Sequence, residues 1–251
     1  MKACLFGLPV WPSSKHIPYL VDHRYFYDEY DPECESFVAH YTCGIYRNAV
    51  ASMILENRVR FDKGFSQSLP KYISNPCVTG FIVKQALLSS IVLEGLNITP
   101  ELNHPMEVAF FHANFPSFNT TTNGPVLYIP KVFNYRNIDG IIVWIAPKPI
   151  NKRAKQELFM YPLQITLAPD KHSNSRKKFF AKWKGWTGGL EKFAVVPEFV
   201  WISPKAAEIK DHVKDTQCPA HVERYVPIRD VRMGIWNWYD EGKQNERIAH
   251  Y

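Results

Sequence analysis

The run NIDGIIVWIAP (137–147) constrains the fold of this chain more than any other part of the sequence. It has the length of a single strand, is rich in β-branched residues, and is closed by Pro147 and Pro149. Between residues 140 and 146 it has no alternation of polar and apolar positions. Such a strand is covered on both faces, as in the centre of a layered sheet. The run therefore predicts an α/β fold with helices packed on a central mixed sheet.

Two further strand-length runs flank this one, NGPVLYIP (123–130) and ELFMYPLQITLA (157–168), and a fourth, EFVWIS, spans 198–203. Helical patterns precede and separate them. The predicted helices span residues 43–59, 77–93 and 175–186, with a short one after Ser203-Pro204 ending near residue 213. The core order is thus helix, three strands, helix, strand. We predict a lead-in over 1–75 that contains the first helix, a core over 76–215, and an aromatic extension over 216–251.

Composition excludes several classes of protein. Of the 251 residues, 46% are hydrophobic and 22% are charged, which excludes an intrinsically disordered chain. The most apolar helical stretch, residues 80–95, carries Lys84 and Gln85 in its middle, so we expect no membrane partner. Five cysteines are scattered without a CxxC pair, which is typical neither of a zinc ribbon nor of a disulfide framework.

Positive charge is concentrated in one segment. Residues 148–184 contain ten Lys and Arg against two Asp and Glu, whereas the rest of the chain has 20 against 22. This segment indicates an anionic partner, nucleic acid before membrane. A solvated basic face without a partner is the alternative. The candidate phosphate-binding residues are Lys152, Arg153, Arg176, Lys177 and Lys184.

Three polar residues interrupt the strands that are predicted to be buried. Asp139 begins the central run, while Gln164 and Thr166 share one face of the next strand. A buried polar group costs free energy unless it is satisfied. Oxygen atoms of Asp139, of Gln164 and of the Ile165 backbone would suit Mg²⁺, which prefers oxygen ligands near 2.1 Å. The alternatives are a turn cap at Asp139 and a hydrated outer face at Gln164 and Thr166.

At this point the chain resembles a family. The helix–three strands–helix–strand order, with an Asp strand followed by a Gln-x-Thr strand, is similar to the PD-(D/E)XK, restriction-endonuclease-like fold. More narrowly, it resembles the nuclease-like domain of Crinkler-type effectors and of trypanosome retrotransposon-hotspot (RHS) proteins. The resemblance covers about residues 18–205. It rests on LVDHRYFYDE (20–29), YTCGIYRNA (41–49), GFIVKQALL (80–88), NGPVLYIP, NIDGIIVW, YPLQITLA, His172 and KKFFAKWKGW (177–186).

The resemblance implies roles for individual residues. Asp139 and Gln164 would be metal ligands, and Thr166 stands where wider relatives place the lysine that polarises the attacking water. Lys178 or Lys182, on the following helix, would then supply that positive charge, with His172 as a neighbour. Two departures are visible in the sequence.

The first departure is Lys84, which stands where the family's helix carries a glutamate. The second is the missing GxxxxGK[ST] motif, so the ATPase module of longer relatives has no counterpart here. A single carboxylate provides little charge for Mg²⁺. The first departure therefore weakens the case for a metal site, and the second suggests a stand-alone effector or a truncated element.

Two functions follow from this resemblance. The first is a nuclease that uses Mg²⁺ or Mn²⁺ to cleave DNA or RNA. The second is a degenerate nuclease fold, an effector that binds a host protein or nucleic acid without cleavage. The resemblance implies a secreted effector that acts inside a host cell, or an intracellular protein if it is not an effector. A nuclear destination suits a basic nucleic-acid binder, although KKFFAKWK is too interrupted for a strong import signal.

Overall fold

A computed structural model describes the parts of the chain from which the fold is read. The described residues are 26–31, 36–41, 76–111, 115–130, 138–149, 154–168, 174–214, 218–237 and 239–240. The chain divides into two units, Met1–Ile54 and Leu55–Tyr251. In the first unit, β1 (Phe26–Asp31) and β2 (Ser36–Tyr41) form an antiparallel pair. The helix predicted over 43–59 lies outside the described residues.

The second unit is built on a seven-stranded mixed sheet in the order β3-β4-β5-β6-β7-β9-β8. Its strands are β3 (Glu107–Phe111), β4 (Val126–Pro130), β5 (Gly140–Ile145), β6 (Gln156–Ile165), β7 (Phe193–Ser203), β8 (Glu208–His212) and β9 (His221–Pro227). The described helices are α1 (Pro76–Glu94), a 3₁₀ turn (Pro100–Leu102), α2 (Ser175–Phe180), α3 (Trp183–Trp186) and α4 (Ile228–Val231). The α/β class predicted from the sequence is confirmed. None of these helices has both the length and the apolar character needed to span a membrane.

The predicted central strand is β5, which is buried over its first four residues. β4, β5 and β6 form an antiparallel meander, and α2 and α3 then carry the chain over to β7, which runs parallel to β6. β3 is added outside β4 and is parallel to it. The helix, three strands, helix, strand order is therefore present, with β3 inserted between α1 and the meander.

The helix predicted between Pro204 and residue 213 is wrong, because this segment forms β8. The sequence KAAEIKDH is rich in residues that favour a helix, but β8 pairs in antiparallel register with β9. Tertiary pairing outweighs a weak local preference here. The sheet also extends beyond residue 215, since β9 lies between β7 and β8. The single helix predicted over 175–186 is two short helices that break at Ala181 and Lys182.

Side chains on one face of the sheet pack against α2 and α3. Phe179, Phe180 and Trp186 from these helices join Phe199 and Trp201 of β7 in one buried cluster. Burying each such side chain contributes roughly 2 kcal/mol or more. Trp186 therefore belongs to the core, and its ring stacks on Phe179 at 4.8 Å. This packing sets the position of the basic helices over the sheet.

The helix α1 is buried along most of its length between Val83 and Val92. It ends at Gly95, whose φ of 89° lies in the left-handed region that glycine adopts without strain. A Cβ at this position would meet the backbone nitrogen of His104 at 2.3 Å. Because α1 is fixed by this packing and by its tight end, its polar Lys84 is carried into the protein interior.

Candidate functional site

Asp139 and Gln164 lie together because of the β5–β6 register. Gly140 pairs with Leu163, and the Asp139 N–H donates to the Leu163 carbonyl at 2.8 Å. One residue further along, Asp139 and Gln164 therefore face each other on the same side of the sheet. Gln164 Nε2 donates to Asp139 Oδ2 at 3.1 Å. The prediction that these two side chains lie close together on adjacent strands is confirmed, and both are buried.

Hydrogen-bond donors occupy both oxygens of the Asp139 carboxylate. Oδ2 accepts the backbone N–H of Ile165 at 2.6 Å, besides the Gln164 amide. Oδ1 lies 2.5 Å from the Nζ of Lys84. The Asp139 carboxylate is therefore contacted on both oxygens by donors of the chain itself.

The Lys84 ammonium contacts the carboxylate that the sequence predicts as a metal ligand. Its side chain is 15% exposed, and the ion pair with Asp139 leaves the two side chains with no net charge. A cation at hydrogen-bond distance from the sole carboxylate repels a second cation strongly in a partly buried site. Lys84 thus has a direct electrostatic effect on the predicted ligand Asp139.

The arrangement does not fit the predicted Mg²⁺ or Mn²⁺ ion. In the described part of the chain, no three His, Cys, Asp or Glu side chains converge as ligands. Among the predicted ligand atoms, Asp139 is already paired, and the Ile165 carbonyl accepts the Gln164 amide at 3.4 Å. Hard divalent cations need several oxygen ligands, usually with more than one negative charge. The side chains around Asp139 are therefore poor ligands for a divalent cation.

One atom of the site is left over. Gln164 Oε1 is buried and has no hydrogen-bond partner, and the same holds for Oε1 of Gln85, next to Lys84 on α1. An unpaired buried amide oxygen costs about 1–3 kcal/mol. Of the two, the Gln164 oxygen belongs to the Asp139 site, which is therefore incompletely satisfied.

The other residues predicted to act at the site have different positions. The Thr166 hydroxyl accepts the N–H of Ala168 at 3.0 Å, so it stabilises the turn after β6. Lys178 and Lys182 are exposed on α2 and at the start of α3, and no carboxylate of the described residues pairs with them. Lysine does reach Asp139, but it is Lys84 from α1. His172 lies outside the described residues.

The predicted phosphate-binding residues divide into two groups. Lys177 and Lys184 are exposed, together with Lys178 and Lys182, on the outer side of α2 and α3. Arg176 instead turns inward, where its Nη1 lies 2.7 Å from Nε2 of His221. The assignment of Arg176 to phosphate binding therefore competes with a buried partner. Lys152 and Arg153 lie outside the described residues.

A second polar cluster surrounds Glu223 of β9, and sequence reasoning missed it. Glu223 Oε1 accepts the Trp201 indole N–H at 2.7 Å and the Tyr225 hydroxyl at 3.3 Å. Oε2 accepts the Nε2–H of His212 at 2.7 Å and lies 3.7 Å from Nε of Arg176. We call these residues, together with His221 beside Arg176, the Glu223 cluster. The signal was the alternation of HVERYV, in which His, Glu and Tyr share one face.

The pKa values in the Glu223 cluster follow from burial and from these bonds. Burial alone would raise the pKa of Glu223, but hydrogen bonds from His212 and Trp201 and the charge of Arg176 lower it. Burial lowers the pKa of His221. The hydrogen bond to the Pro219 carbonyl raises it in part, and the positive charge of Arg176 lowers it again. Burial and the Glu223 charge raise the pKa of Tyr225 to about 12. Glu223 is thus charged and His221 neutral near pH 7.

Comparison with known proteins does not assign the chain to a family. No family model matches it, and no curated protein or solved structure matches it either. The function is therefore argued from the Asp139 site and from the surface of the basic helices.

Proposed function

We propose that this protein is a nuclease-like fold of the PD-(D/E)XK type that binds nucleic acid without cleaving it. Its fold would be the restriction-endonuclease-like one, and its role that of an effector related to the Crinkler and RHS proteins. One observation carries the proposal. The Lys84 ammonium pairs with Asp139, which contacts Gln164, and these are the two residues that the resemblance implies as metal ligands.

The topology supports the choice of fold. α1 precedes an antiparallel meander of three strands, and the chain then passes through α2 and α3 to a strand parallel to β6. This is the order expected from the resemblance. The Asp139 site lies at the carboxyl ends of β6 and β7, the edge at which open α/β sheets bind ligands.

The surface of the basic helices favours nucleic acid as the partner. Lys177, Lys178, Lys182 and Lys184 are exposed on α2 and α3, within the twelve residues 175–186. We call these four residues the lysine surface. Clustered exposed lysines attract phosphate without reading sequence, because each contact releases a bound counterion. The aromatic rings beneath them are committed to the core, so stacking on bases contributes little.

The metal-dependent nuclease is the competing proposal, and one observation favours it. Gln164 Nε2 lies 3.1 Å from Asp139 Oδ2 and 3.4 Å from the Ile165 carbonyl oxygen. Rotating the Gln164 side-chain amide by about 180° would exchange Nε2 and Oε1. Oε1, which receives no hydrogen bond, would then lie beside those two oxygens. Oxygen ligands around Mg²⁺ lie about 3 Å apart, given ligand distances near 2.1 Å. The Lys84 charge nevertheless opposes a cation there, and we therefore favour binding.

Fluorescence anisotropy with labelled single-stranded RNA and duplex DNA tests the binding. Wild-type protein should bind both in EDTA, with an affinity that falls steeply with salt. Replacing Lys177, Lys178 and Lys182 with alanine should lower the salt slope by about 2–3 units, because roughly one phosphate contact is lost per lysine. The matched control removes the exposed Lys192, Lys214 and Arg229 and should leave the slope nearly unchanged. Equal slopes for both triple variants would contradict the proposal.

A cleavage assay and a metal titration test the second part of the proposal, that the protein does not cleave nucleic acid. Wild-type protein should leave both nucleic acids intact in Mg²⁺ or Mn²⁺, and neither ion should change its melting temperature. The Lys84→Glu variant replaces the cation with a second carboxylate, so Mn²⁺ should raise its melting temperature in a saturable way. Cleavage by wild-type protein that EDTA and Asp139→Asn both abolish would establish the nuclease instead.

A further inference from the structure

The outer strand β8 leaves one edge of the seven-stranded sheet open among the described residues, since it pairs there with β9 alone. Two large apolar side chains lie at this edge. Ile209 is 58% exposed, and Val213, just beyond the strand, is 89% exposed. Proteins usually blunt an open edge because its unpaired backbone groups template the pairing of another strand.

Glu208 and Lys210 carry opposite charges on one face of β8, and Ile209 and Asp211 lie on the other face. Glu208 and Lys210 lie on the face shared with Tyr225 and Glu223, and their side chains form an ion pair of 3.0 Å. Ile209 lies on the opposite face. An edge lysine normally opposes pairing with another strand, but the charge of Lys210 is neutralised by Glu208 of the same strand.

We propose that β8 pairs in antiparallel register with β8 of a second copy of this chain, about a two-fold axis through Ile209. In this register Glu208 of each copy lies opposite Lys210 of the other, and the two Ile209 side chains meet on the opposite face. Opposite charges and apolar pairs directly across from each other stabilise an antiparallel pair, and like charges destabilise it. The occupant of this edge is thus the chain itself.

Each neighbouring register brings one pair of like charges together. Residues paired across an antiparallel edge lie on the same face, so their numbers differ by an even amount. The two-fold axis perpendicular to the sheet therefore lies midway between the two copies of one residue, and this residue names the register. An axis through Lys210 sets that lysine against its own copy. An axis through Asp211 sets two aspartates against each other. The axis through Ile209 is the register of these three that places no like charges together.

The dimer has a geometric consequence. The two-fold axis is perpendicular to the sheet, so it does not turn the second copy over. α2 and α3 of both copies therefore cover the same face of one continuous sheet. Both lysine surfaces then lie on one side of the assembly. This consequence rests on the proposed function, whereas the dimer itself does not, and sedimentation tests the dimer without nucleic acid.

Analytical ultracentrifugation of the full chain with two charge reversals tests the pairing. Wild-type protein should sediment as a concentration-dependent dimer. Glu208→Lys and Lys210→Glu should each weaken it by about tenfold or more, because two attractive pairs become repulsive. Mixing the two variants should restore association as a heterodimer, since every Lys of one then faces a Glu of the other. Asp230→Lys, a reversal at an exposed site on α4, is the control and should dimerise like wild type.

Three results would overturn the proposal. The first is a wild-type chain that stays monomeric at about 100 µM, a concentration at which a pairing of even modest affinity is populated. The second is a Lys210→Glu variant that associates more tightly than wild type, which would indicate the register through Asp211. The third is failure of the two reversed variants to associate on mixing, while circular dichroism shows that both are folded.

Discussion

Asp139 and Glu223 are both buried carboxylates of the seven-stranded sheet, and they are supported in opposite ways. Asp139 has one close cation, Lys84 at 2.5 Å, and Gln164 beside it keeps a buried oxygen without a donor. Glu223 has its cation, Arg176, at 3.7 Å but receives three neutral or imidazole donors from its own and neighbouring strands. Glu223 therefore takes its close hydrogen bonds from strands of the sheet alone. Asp139 takes two from β6 and its charged partner from a helix.

The largest effect should follow from Glu223→Ala. The change leaves the Trp201 indole, His212 and Arg176 without their acceptor in a mostly buried place. Breaking a buried ion pair from one side costs about 3–5 kcal/mol in the free energy of unfolding. Urea denaturation should show this loss, whereas Asp230→Ala, which removes an exposed partner of Arg229, should cost less than about 1 kcal/mol. Equal losses would mean that the Glu223 cluster is not structural.

A smaller effect should follow from Lys84→Met. Asp139 then keeps its bonds from Ile165 and Gln164 but loses its counter-charge, which should cost about 2–3 kcal/mol of unfolding free energy. Adding Asp139→Asn should recover much of this loss, because the buried charge is removed with its partner. A double-mutant cycle by urea denaturation measures the coupling. Additive losses from the two changes would show that the ion pair does not hold the site together.

The smallest effect is a dependence on pH. The pKa of His221 is lower in the folded protein than its ordinary value of 6.5, so the unfolded chain binds the proton more readily. The stabilisation by neutral His221 is therefore complete above about pH 6.5 and is lost as the pH falls below it. Melting temperatures from about pH 7.5 down to about pH 5 should fall for wild type and fall less for His221→Gln. Parallel curves would assign the pH dependence to other groups.

The central strands and the Asp139–Gln164 contact were predictable because a period of two residues decides which side chains share a face. Once β5 and β6 pair, a polar residue at the head of one and near the end of the other must meet. The position of Lys84 was not predictable in the same way. The rotation of α1 against the sheet is set by the packing of its buried side chains, and that packing is a property of the whole core.

β8 and β9 were missed for a different physical reason. The residues of β8 favour a helix by intrinsic preference, and a strand at the edge of a sheet has no apolar run to reveal it. β9 mixes His, Glu and Arg with valine, because its polar residues find partners on other elements, as Arg224 does with Glu198 and Glu223 with Trp201. A local pattern does not show a partner that is distant in sequence.

The lysine that pairs with Asp139 changes how the site relates to its surroundings. An ion taken from solution comes and goes with its concentration, competes with other ions and is removed by a chelator. An ammonium on α1 is made with the chain, one per molecule, and stays whether divalent ions are scarce or abundant. The positive charge beside Asp139 is therefore fixed by the codon for residue 84 and does not vary with the medium.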